Sequence, residues 1–227
     1  STSFREDYLY RRFEDAARGS KEEVKESMGD LVDLLREHGP VLDVGCGRGE
    51  LLESCREAGI EASGIDVNER SVAELQEKDF DVSIGRIPEA LEGIESGSVG
   101  AVYASHVVEH LNTSALLSLM TESWRILRDG GVLVIETPNA QSLMVSGSEF
   151  WKDPSHVAPR HPAALIIVGR EIGFELLESK TLHPYGDAAK LEISEEQPDD
   201  LQRLVDRLNE ILFGDQDLRV VMRKLGR

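Results

Sequence analysis

The stretch VLDVGCGRGE, residues 41–50, predicts the fold of this chain. Apolar residues that suit a short buried strand run directly into Gly45, Gly47 and Gly49, and Glu50 then opens a stretch with a helical pattern. Glycines in such a turn let backbone N–H groups and the helix N-terminus approach a ligand closely. The spacing is GxGxG, which differs from the GxGxxG of dinucleotide-binding turns. The stretch therefore predicts a strand, a ligand-binding turn and a helix, with an unspecialised glycine turn as the alternative.

Strand and helix signals alternate along the chain. We predict an amphipathic lead-in helix at 20–38 and further helices at 50–58, 68–78, 113–128, 162–172 and 198–212. Strands are predicted at 41–44, 60–65, 80–84, 99–104, 131–136, 174–178 and 218–223. This alternation is typical of an α/β fold with a doubly wound, mainly parallel sheet. We therefore expect a single domain over 1–227, with a helical lead-in at 1–38 and a long functional loop at 139–161.

Composition argues against several classes of function. The chain has 25 Lys+Arg against 43 Asp+Glu, a net charge of -18, which disfavours general affinity for nucleic acid or an anionic membrane. No apolar run approaches the roughly 20 residues of a membrane span, and the N-terminal residues lack a signal-peptide pattern. The only cysteines, Cys46 and Cys55, form no CxxC pair, so neither a disulfide framework nor a zinc site is predicted. We expect a soluble, cytoplasmic protein without a nucleic-acid partner or an integral membrane segment.

Two carboxylates accompany the glycine turn. Asp43 lies inside the strand that precedes the turn, where it can fix the loop or meet the ammonium group of a ligand. Asp66 closes the next predicted strand, which is the place where a carboxylate would meet the two hydroxyls of a ribose. Together with the glycines, these acids favour a nucleoside-containing ligand over an unspecialised turn.

The motifs VLDVGCGRGE (41–50), GIDV (64–67) and LRDGGVLVIETPN (127–139) resemble those of class I S-adenosylmethionine-dependent methyltransferases. The resemblance implies a seven-stranded, Rossmann-like sheet and S-adenosyl-L-methionine as cofactor, with S-adenosyl-L-homocysteine as its product. It implies the methionine part over the glycine turn, the ribose at Asp66 and the adenine beside Arg86, where many relatives carry an acid. The cofactor-binding residues expected on this basis are Asp43, Gly45, Cys46, Gly47, Gly49, Asp66, Val67, Arg86, Ile87, Ser105 and His106.

A closer resemblance covers more of the chain. The segments ARGSKEEVK (17–25), FWKDPSH (150–156) and LFGDQD (212–217) are similar to segments of bacterial methyltransferases of polysaccharide (O-antigen) biosynthesis. Members of that group methylate a sugar hydroxyl or a terminal phosphate. The acidic net charge favours the sugar hydroxyl, because a phosphate acceptor would need a basic pocket. The expected partner is thus a saccharide or glycan acceptor, and the loop at 139–161 would lie on the acceptor side.

Several side chains could carry the chemistry of methyl transfer. An alcohol acceptor must lose a proton as it attacks, and histidine is the commonest general base. We predict His156 as the base, with Asp153 orienting it or holding the acceptor. Trp151, Arg160 and Arg18 are predicted substrate contacts. A plain turn capped by the histidine is the alternative interpretation of the Asp-Pro-Ser-His segment.

The sequence HVVEH at 106–110 needs separate weighing, because HxxEH is also an inverted zinc-protease motif. Here it follows a buried strand and precedes a helix start, so we expect a strand-to-helix turn and no resident metal. His110 would be a pocket residue or a further catalytic group, and a divalent ion held by Asp153 and neighbouring histidines stays open. Two rival functions also stay open: methylation of a small natural product or lipid, and a non-catalytic cofactor-binding module.

Overall fold

The computed structural model describes residues 21–26, 28–194 and 196–226. The strands are β1 Val41–Val44, β2 Ala62–Asp66, β3 Asp81–Ile84, β4 Val99–Ser105, β5 Leu127–Pro138, β6 Phe174–Leu182 and β7 Asp217–Lys224. They form one seven-stranded sheet in the order β3-β2-β1-β4-β5-β7-β6. β1 to β5 pair in parallel, whereas β7 runs antiparallel to β5 and β6. The prediction of an α/β fold with a mainly parallel, seven-stranded sheet is confirmed.

The helices that flank the sheet are α1 Lys21–Glu26, α2 Gly29–Arg36, α3 Glu50–Ala58, α4 Glu69–Gln76, α5 Thr113–Ile126, α6 Leu143–Gly147, α7 Pro162–Ile172 and α8 Asp199–Leu212. Short 3-10 helices cover Glu89–Leu91, Val108–His110, Glu149–Lys152 and Asp187–Ala189. None of the helices in the described ranges is long and apolar enough to cross a membrane. Helix ends follow local chemistry: the Asn112 side chain accepts from Ala115 N–H at the start of α5, and Gly59 ends α3 with a left-handed φ of 71°.

Alternate residues of the central strands pack into two hydrophobic cores, one on each face of the sheet. On β4, Val102 and Ala104 join the core formed with α5 and α7, whereas Ala101 and Tyr103 join the core formed with α2 and α3. Successive side chains of a strand point to opposite faces, so helices can cover both. The central strands β1 and β4 are therefore buried on both faces, whereas the edge strands β3 and β6 keep exposed residues.

Three segments differ from their predictions. The lead-in at 20–38 carries two helices, α1 and α2, and α2 begins at Gly29, a residue that disfavours a helix interior. The loop at 139–161 is not irregular throughout, since it contains α6 and the 3-10 helix Glu149–Lys152. β5 begins at Leu127, earlier than predicted, and passes through an exposed stretch in which Gly130 has a φ of 77°.

Candidate active site

The glycine turn after β1 has a geometry that only glycine fits comfortably. Gly45, Gly47 and Gly49 have φ values of 74°, 49° and 80°, in the left-handed region. A Cβ on Gly45 would lie 2.4 Å from Cγ2 of Val107, and a Cβ on Gly49 would lie 2.4 Å from Cδ2 of Leu75. The turn is therefore closely packed, and the Gly45 and Cys46 N–H groups donate to the backbone oxygen of Ile65, which ties the turn to β2. It leads directly into α3, whose N-terminus favours electron-rich ligand atoms.

Asp66 lies beside this turn, because β2 pairs in parallel with β1 and both strands end at the same edge of the sheet. Gly47 N–H donates to its Oδ2 at 2.8 Å, and Asn68 N–H donates to its Oδ1 at 2.7 Å. Each carboxylate oxygen has a second lone pair, so both can still accept from a ligand hydroxyl. Asp66 thus fixes the turn and offers an anionic edge next to it.

A cavity of about 650 Å³ opens at the carboxyl ends of β1, β4 and β5. Its size suits a small-molecule site, for which roughly 300–1,000 Å³ is usual. One part of its wall comes from the glycine turn and β4: Asp43, Gly45, Cys46, Glu50, Leu51, Ser105 and His106. Another part comes from the segment after β5 and from His110: Val145, Glu149, Phe150, Lys152, Asp153 and His156. One continuous space therefore joins the glycine turn to the predicted catalytic histidines.

A buried charge network forms part of the cavity wall. Tyr103 O–H donates to Glu136 Oε2 at 2.6 Å, and Arg219 Nε donates to Glu136 Oε1 at 2.5 Å. Arg219 Nη1 also donates to Asp30 Oδ2 at 2.8 Å. Burial and the neighbouring Glu136 carboxylate raise the pKa of Tyr103 well above its usual value, so its hydroxyl stays protonated. Buried charges persist only when they are paired, and this network holds a carboxylate and a guanidinium rigidly against the cavity.

The rings of His110 and His156 meet edge to face on the cavity wall. Their ring centroids are 4.7 Å apart, and the His156 ring also lies 4.3 Å from that of Phe150. His156 Nδ1 lies 2.6 Å from the backbone oxygen of Phe150. Burial is the largest influence on His110 and lowers its pKa, which favours its neutral form. The pair therefore offers two imidazoles within one wall.

Asp153 and Ser155 support this pair from the same loop. Ser155 donates to Asp153 Oδ1 from its backbone N–H at 2.8 Å and from Oγ–H at 2.6 Å. Ser155 Oγ lies 2.9 Å from His110 Nδ1, and Asp153 Oδ2 lies 3.8 Å from His156 Nε2. Burial alone would raise the pKa of Asp153, but the Ser155 hydrogen bonds together with the nearby His156 and His110 lower the pKa overall. The expected association of Asp153 with His156 is thus present, at a distance beyond a direct hydrogen bond.

The HVVEH segment forms the 3-10 helix Val108–His110 between β4 and α5, as its interpretation as a strand-to-helix turn predicts. Glu109 is fully buried, and its two oxygens accept from His106 Nδ1 at 3.1 Å and from Thr137 Oγ1 at 3.0 Å. Among the described residues, ligand atoms of Glu109, His110 and His156 come within 4.8 Å of one another. Each Glu109 oxygen accepts one hydrogen bond and keeps a second lone pair, so these bonds do not exclude a divalent ion at the three side chains.

The amino-acid sequence matches the profile of a family described as "Methyltransferase domain" over residues 10–179. The crystal structure of a SAM-dependent methyltransferase from Archaeoglobus fulgidus superposes with a TM-score of 0.87 at 33% identity, over 95% of this chain and 99% of that chain. The chain belongs to the S-adenosylmethionine-dependent methyltransferase family.

Curated relatives agree with this family at lower coverage. A protein named probable S-adenosylmethionine-dependent methyltransferase from Mycolicibacterium smegmatis is 29% identical over 60% of this chain and 52% of its own length. A ubiquinone biosynthesis O-methyltransferase from Psychrobacter cryohalolentis is 30% identical over 48% of this chain and 46% of its own length. The chain therefore spans about half the length of these curated relatives. The predicted resemblance to polysaccharide-biosynthesis methyltransferases is not among these findings.

The residues around the glycine turn fit the family's cofactor. S-adenosylmethionine carries a ribose diol, an ammonium group and a sulfonium, which call for a hydroxyl acceptor and for nearby negative charge. Asp66 supplies the acceptor, and the buried carboxylates Asp43 and Glu50 line the cavity beside Gly45. A methyl group at Gly45 would strike Val107, so packing requires glycine at this position of the cavity wall. These are the residues that would hold the cofactor in this methyltransferase.

The predicted cofactor residues do not all line the cavity, and Gly47, Gly49 and Asp66 are not among its lining residues. Ser105 and His106 line the cavity, as does Cys46, whose thiol has its pKa raised mainly by burial and therefore stays protonated. Val67 and Arg86 are exposed outside the cavity, and Ile87 packs against the apolar core.

The Arg86 loop nevertheless follows Asp66 closely, since Gly85 N–H donates to the backbone oxygen of Asp66 at 2.9 Å. The expected adenine site therefore lies outside the cavity, on the open surface near β2 and β3.

Two of the predicted substrate contacts, Trp151 and Arg160, do not line this cavity. Trp151 is 57% exposed and donates from its ring nitrogen to the Ser146 backbone oxygen. Arg160 donates to the backbone oxygens of Val108 and Leu111, so its guanidinium braces the turn after β4. Arg18 lies outside the described residues.

Sequence reasoning missed several polar side chains of the cavity wall, among them Lys152, His183, Glu136 on β5, and Asp217 and Arg219 on β7. The available signal was the presence of charged residues within otherwise apolar strands, since buried charges need partners and mark special sites.

Proposed function

We propose that this methyltransferase transfers a methyl group to a hydroxyl oxygen of an acceptor bound in the cavity. When bound, S-adenosylmethionine supplies an electrophilic methyl group on a positively charged sulfur. The supporting observation is that one cavity joins the glycine turn, through Asp43 and Gly45, to a supported histidine, His156. Holding an acceptor oxygen in line with the methyl group can by itself contribute roughly 7–11 kcal/mol toward the barrier.

His156 is the general base of this proposal, and its hydrogen bonds define the atom that acts. A carbonyl oxygen only accepts, so His156 Nδ1 must carry the proton that it shares with the Phe150 oxygen at 2.6 Å. In the neutral ring, Nε2 then carries the lone pair. That atom can take the hydroxyl proton of the acceptor as the new C–O bond forms, a role typically worth about 10²–10⁴-fold in rate.

Asp153 and His110 complete this arrangement as we propose it. The Asp153 carboxylate, 3.8 Å from His156 Nε2, stabilises the imidazolium that results from proton uptake. The lowered pKa of His110 favours its neutral ring, which avoids a second positive charge beside His156. His110 is then a second hydrogen-bonding group for the acceptor, held at Nδ1 by Ser155.

The acceptor is proposed to be a saccharide hydroxyl. The polar wall supports this choice, because Glu136, Lys152 and Arg219 line the cavity and can bond several hydroxyls. The loop at 139–161 is then the acceptor side of a single domain, since α6 and the following 3-10 helix contribute Val145 and Phe150.

A phenolic hydroxyl is the second candidate. It is favoured by the similarity to ubiquinone biosynthesis O-methyltransferases and by the apolar wall residues Met28, Val145 and Phe150. We also propose a cytoplasmic location, because Cys46 and Cys55 are buried free thiols, which suits a reducing compartment.

The test is a methyl-transfer assay with isotopically labelled cofactor and two acceptor sets, methyl hexopyranosides and 3,4-dihydroxybenzoate with its monophenol analogues. We expect product O-methylated on a hexopyranoside, and a rate that falls at least about a hundredfold in His156→Gln. His161→Asn is the matched control, since His161 caps α7 outside the cavity and asparagine is a good capping residue. Product from the phenols alone would support the second acceptor class. Labelled product from neither set, with the cofactor bound, would contradict hydroxyl methylation of these acceptors.

A further inference from the structure

A second histidine group lines the same cavity on the side of β7. His183 follows β6, Asp217 begins β7, and both line the cavity together with His106. On β7, Asp217 and Arg219 line the cavity, whereas Leu218 between them is buried in the core, as expected for alternating strand residues. The proposed function uses none of the contacts between His183 and Asp217.

The geometry of this pair is that of an oriented imidazole. His183 Nδ1 lies 2.7 Å from Asp217 Oδ2, and because a carboxylate only accepts, Nδ1 is the donor. This bond fixes the ring and leaves Nε2 for another partner; no described side chain bonds that atom. The His183 side chain is 46% exposed although its ring is tethered, so Nε2 remains open to a ligand.

The backbone supports the same conclusion. His106 and His183 have φ values of 53° and 58°, and Asp79 is the only other non-glycine residue of the described ranges with a positive φ. Residues held in this sparsely populated region concentrate at ligand sites. Asp217 lies between these two histidines, with Oδ1 3.7 Å from His106 Nε2. Two strained loops thus converge on one carboxylate at the cavity wall.

We propose that His183, oriented by Asp217, is an acceptor-binding residue that bonds a second oxygen of the acceptor, distinct from the oxygen that is methylated. This inference rests on the proposed function, since it assumes an acceptor in the cavity. It also narrows the substrate class. An acceptor that meets both His156 and His183 carries at least two oxygen functions, as in a diol, a polyol or a hydroxy acid. Asp217 is a positioning residue, because it acts through the His183 ring.

Charges around His183 give the proposal a pH signature. The Asp217 hydrogen bond is the largest influence and raises the pKa of His183; the carboxylate of Glu136 acts in the same direction and the nearby His106 against it. Removing the Asp217 charge therefore lowers the pKa of His183. A ring that is a cation donates from Nε2, whereas the neutral ring accepts there, so acceptor affinity should follow this titration.

The test uses His183→Asn and Asp217→Asn, with His161→Asn as the control for loss of an imidazole outside the cavity. With whichever acceptor set the wild type methylates, we expect His183→Asn to raise KM for the acceptor about tenfold. Its kcat and its affinity for S-adenosylhomocysteine should stay within twofold of wild type. Asp217→Asn should move the pH dependence of KM to lower pH, a change that a merely structural role would not produce. An unchanged acceptor KM in His183→Asn would overturn the proposal.

A second measurement tests the hydrogen bond between His183 and Asp217 without requiring turnover. The His183 ring resonance, assigned by its disappearance in His183→Asn, is titrated by NMR in wild type and in Asp217→Asn. A pKa that falls in the variant supports the oriented ring, and a pKa that does not move overturns it. If the wild type methylates neither acceptor set, the proposed function fails while this titration still tests the His183–Asp217 pair.

Discussion

Replacing Gly45 by alanine separates the two physical reasons why this turn needs glycine. The first is backbone strain, since φ at Gly45 is 74° and an L-residue there costs about 1–2 kcal/mol. The second is a clash, because the new Cβ would lie 2.4 Å from Cγ2 of Val107. Overpacking of this kind costs typically about 1–3 kcal/mol. We therefore expect Gly45→Ala to lower the free energy of unfolding by about 2–5 kcal/mol.

The chain offers one control for the backbone strain and one for the clash. Gly59 has nearly the same φ, 71°, but a Cβ there would have no neighbour within 4 Å, so Gly59→Ala reports the strain alone. Val107→Ala removes the clashing methyl group, so the double variant Gly45→Ala/Val107→Ala should recover the clash term. The assay is equilibrium unfolding in denaturant, with the coupling free energy taken from the double-mutant cycle. We expect a favourable coupling of about 1–3 kcal/mol.

Two results would refute this reasoning. One is an additive cycle, in which Val107→Ala does nothing to relieve Gly45→Ala. The other is equal destabilisation by Gly45→Ala and Gly59→Ala, which would mean that the contact with Val107 has no energetic weight. Because Val107 adjoins His106 in the cavity wall, the same variant should also weaken the binding of S-adenosylhomocysteine, and calorimetry checks this.

Three further predictions concern the cavity and its support. His156→Gln should lower kcat by about 10²–10⁴-fold and leave cofactor affinity unchanged, measured by initial rates and calorimetry; an unchanged kcat would remove His156 as the base. Asp217→Asn should lower the melting temperature more at pH 5.5 than at pH 8.5. A raised His183 pKa contributes stability below the unfolded pKa and loses it as pH rises through the folded pKa; the opposite pH trend would disprove that assignment. Arg160→Ala should lower the free energy of unfolding by about 2 kcal/mol, because the Arg160 guanidinium donates to backbone oxygens of the turn after β4. Arg170 lies on the exposed end of α7, so Arg170→Ala should lower it far less. Equal losses in the two variants, measured by denaturant unfolding, would contradict a bracing role for Arg160.

The fold was predictable because its signals are local. The glycine turn, the Asn112 cap and the Gly59 helix end each depend on backbone chemistry within a few residues, and all three hold in the structure. The position of Asp66 beside the turn follows from the parallel pairing of β1 and β2. The prediction of a single lead-in helix was wrong, because Gly29, in the middle of a regular apolar pattern, begins a second helix.

The acceptor side was less predictable because its residues meet only through long-range pairing. Glu136 and Arg219 are far apart in the sequence and join because β7 inserts antiparallel beside β5. His183 and Asp217 meet because β6 pairs with β7 in the same way. The prediction for Trp151 assumed that an aromatic side chain in the loop faces the ligand, but its neighbour Phe150 occupies the wall instead.

Calorimetric titration of S-adenosylhomocysteine into the wild type, Asp66→Asn and Asp81→Asn tests the central claim most directly. Asp81 is an exposed carboxylate at the start of β3 and serves as the charge-matched control. We predict saturable binding to the wild type, an unchanged affinity in Asp81→Asn and a loss of about 10–150-fold in Asp66→Asn, as expected for one charge-assisted hydrogen bond worth about 1.5–3 kcal/mol. The absence of binding to the folded wild type, or equal affinities in all three proteins, would contradict the assignment of the glycine turn and Asp66 to the cofactor.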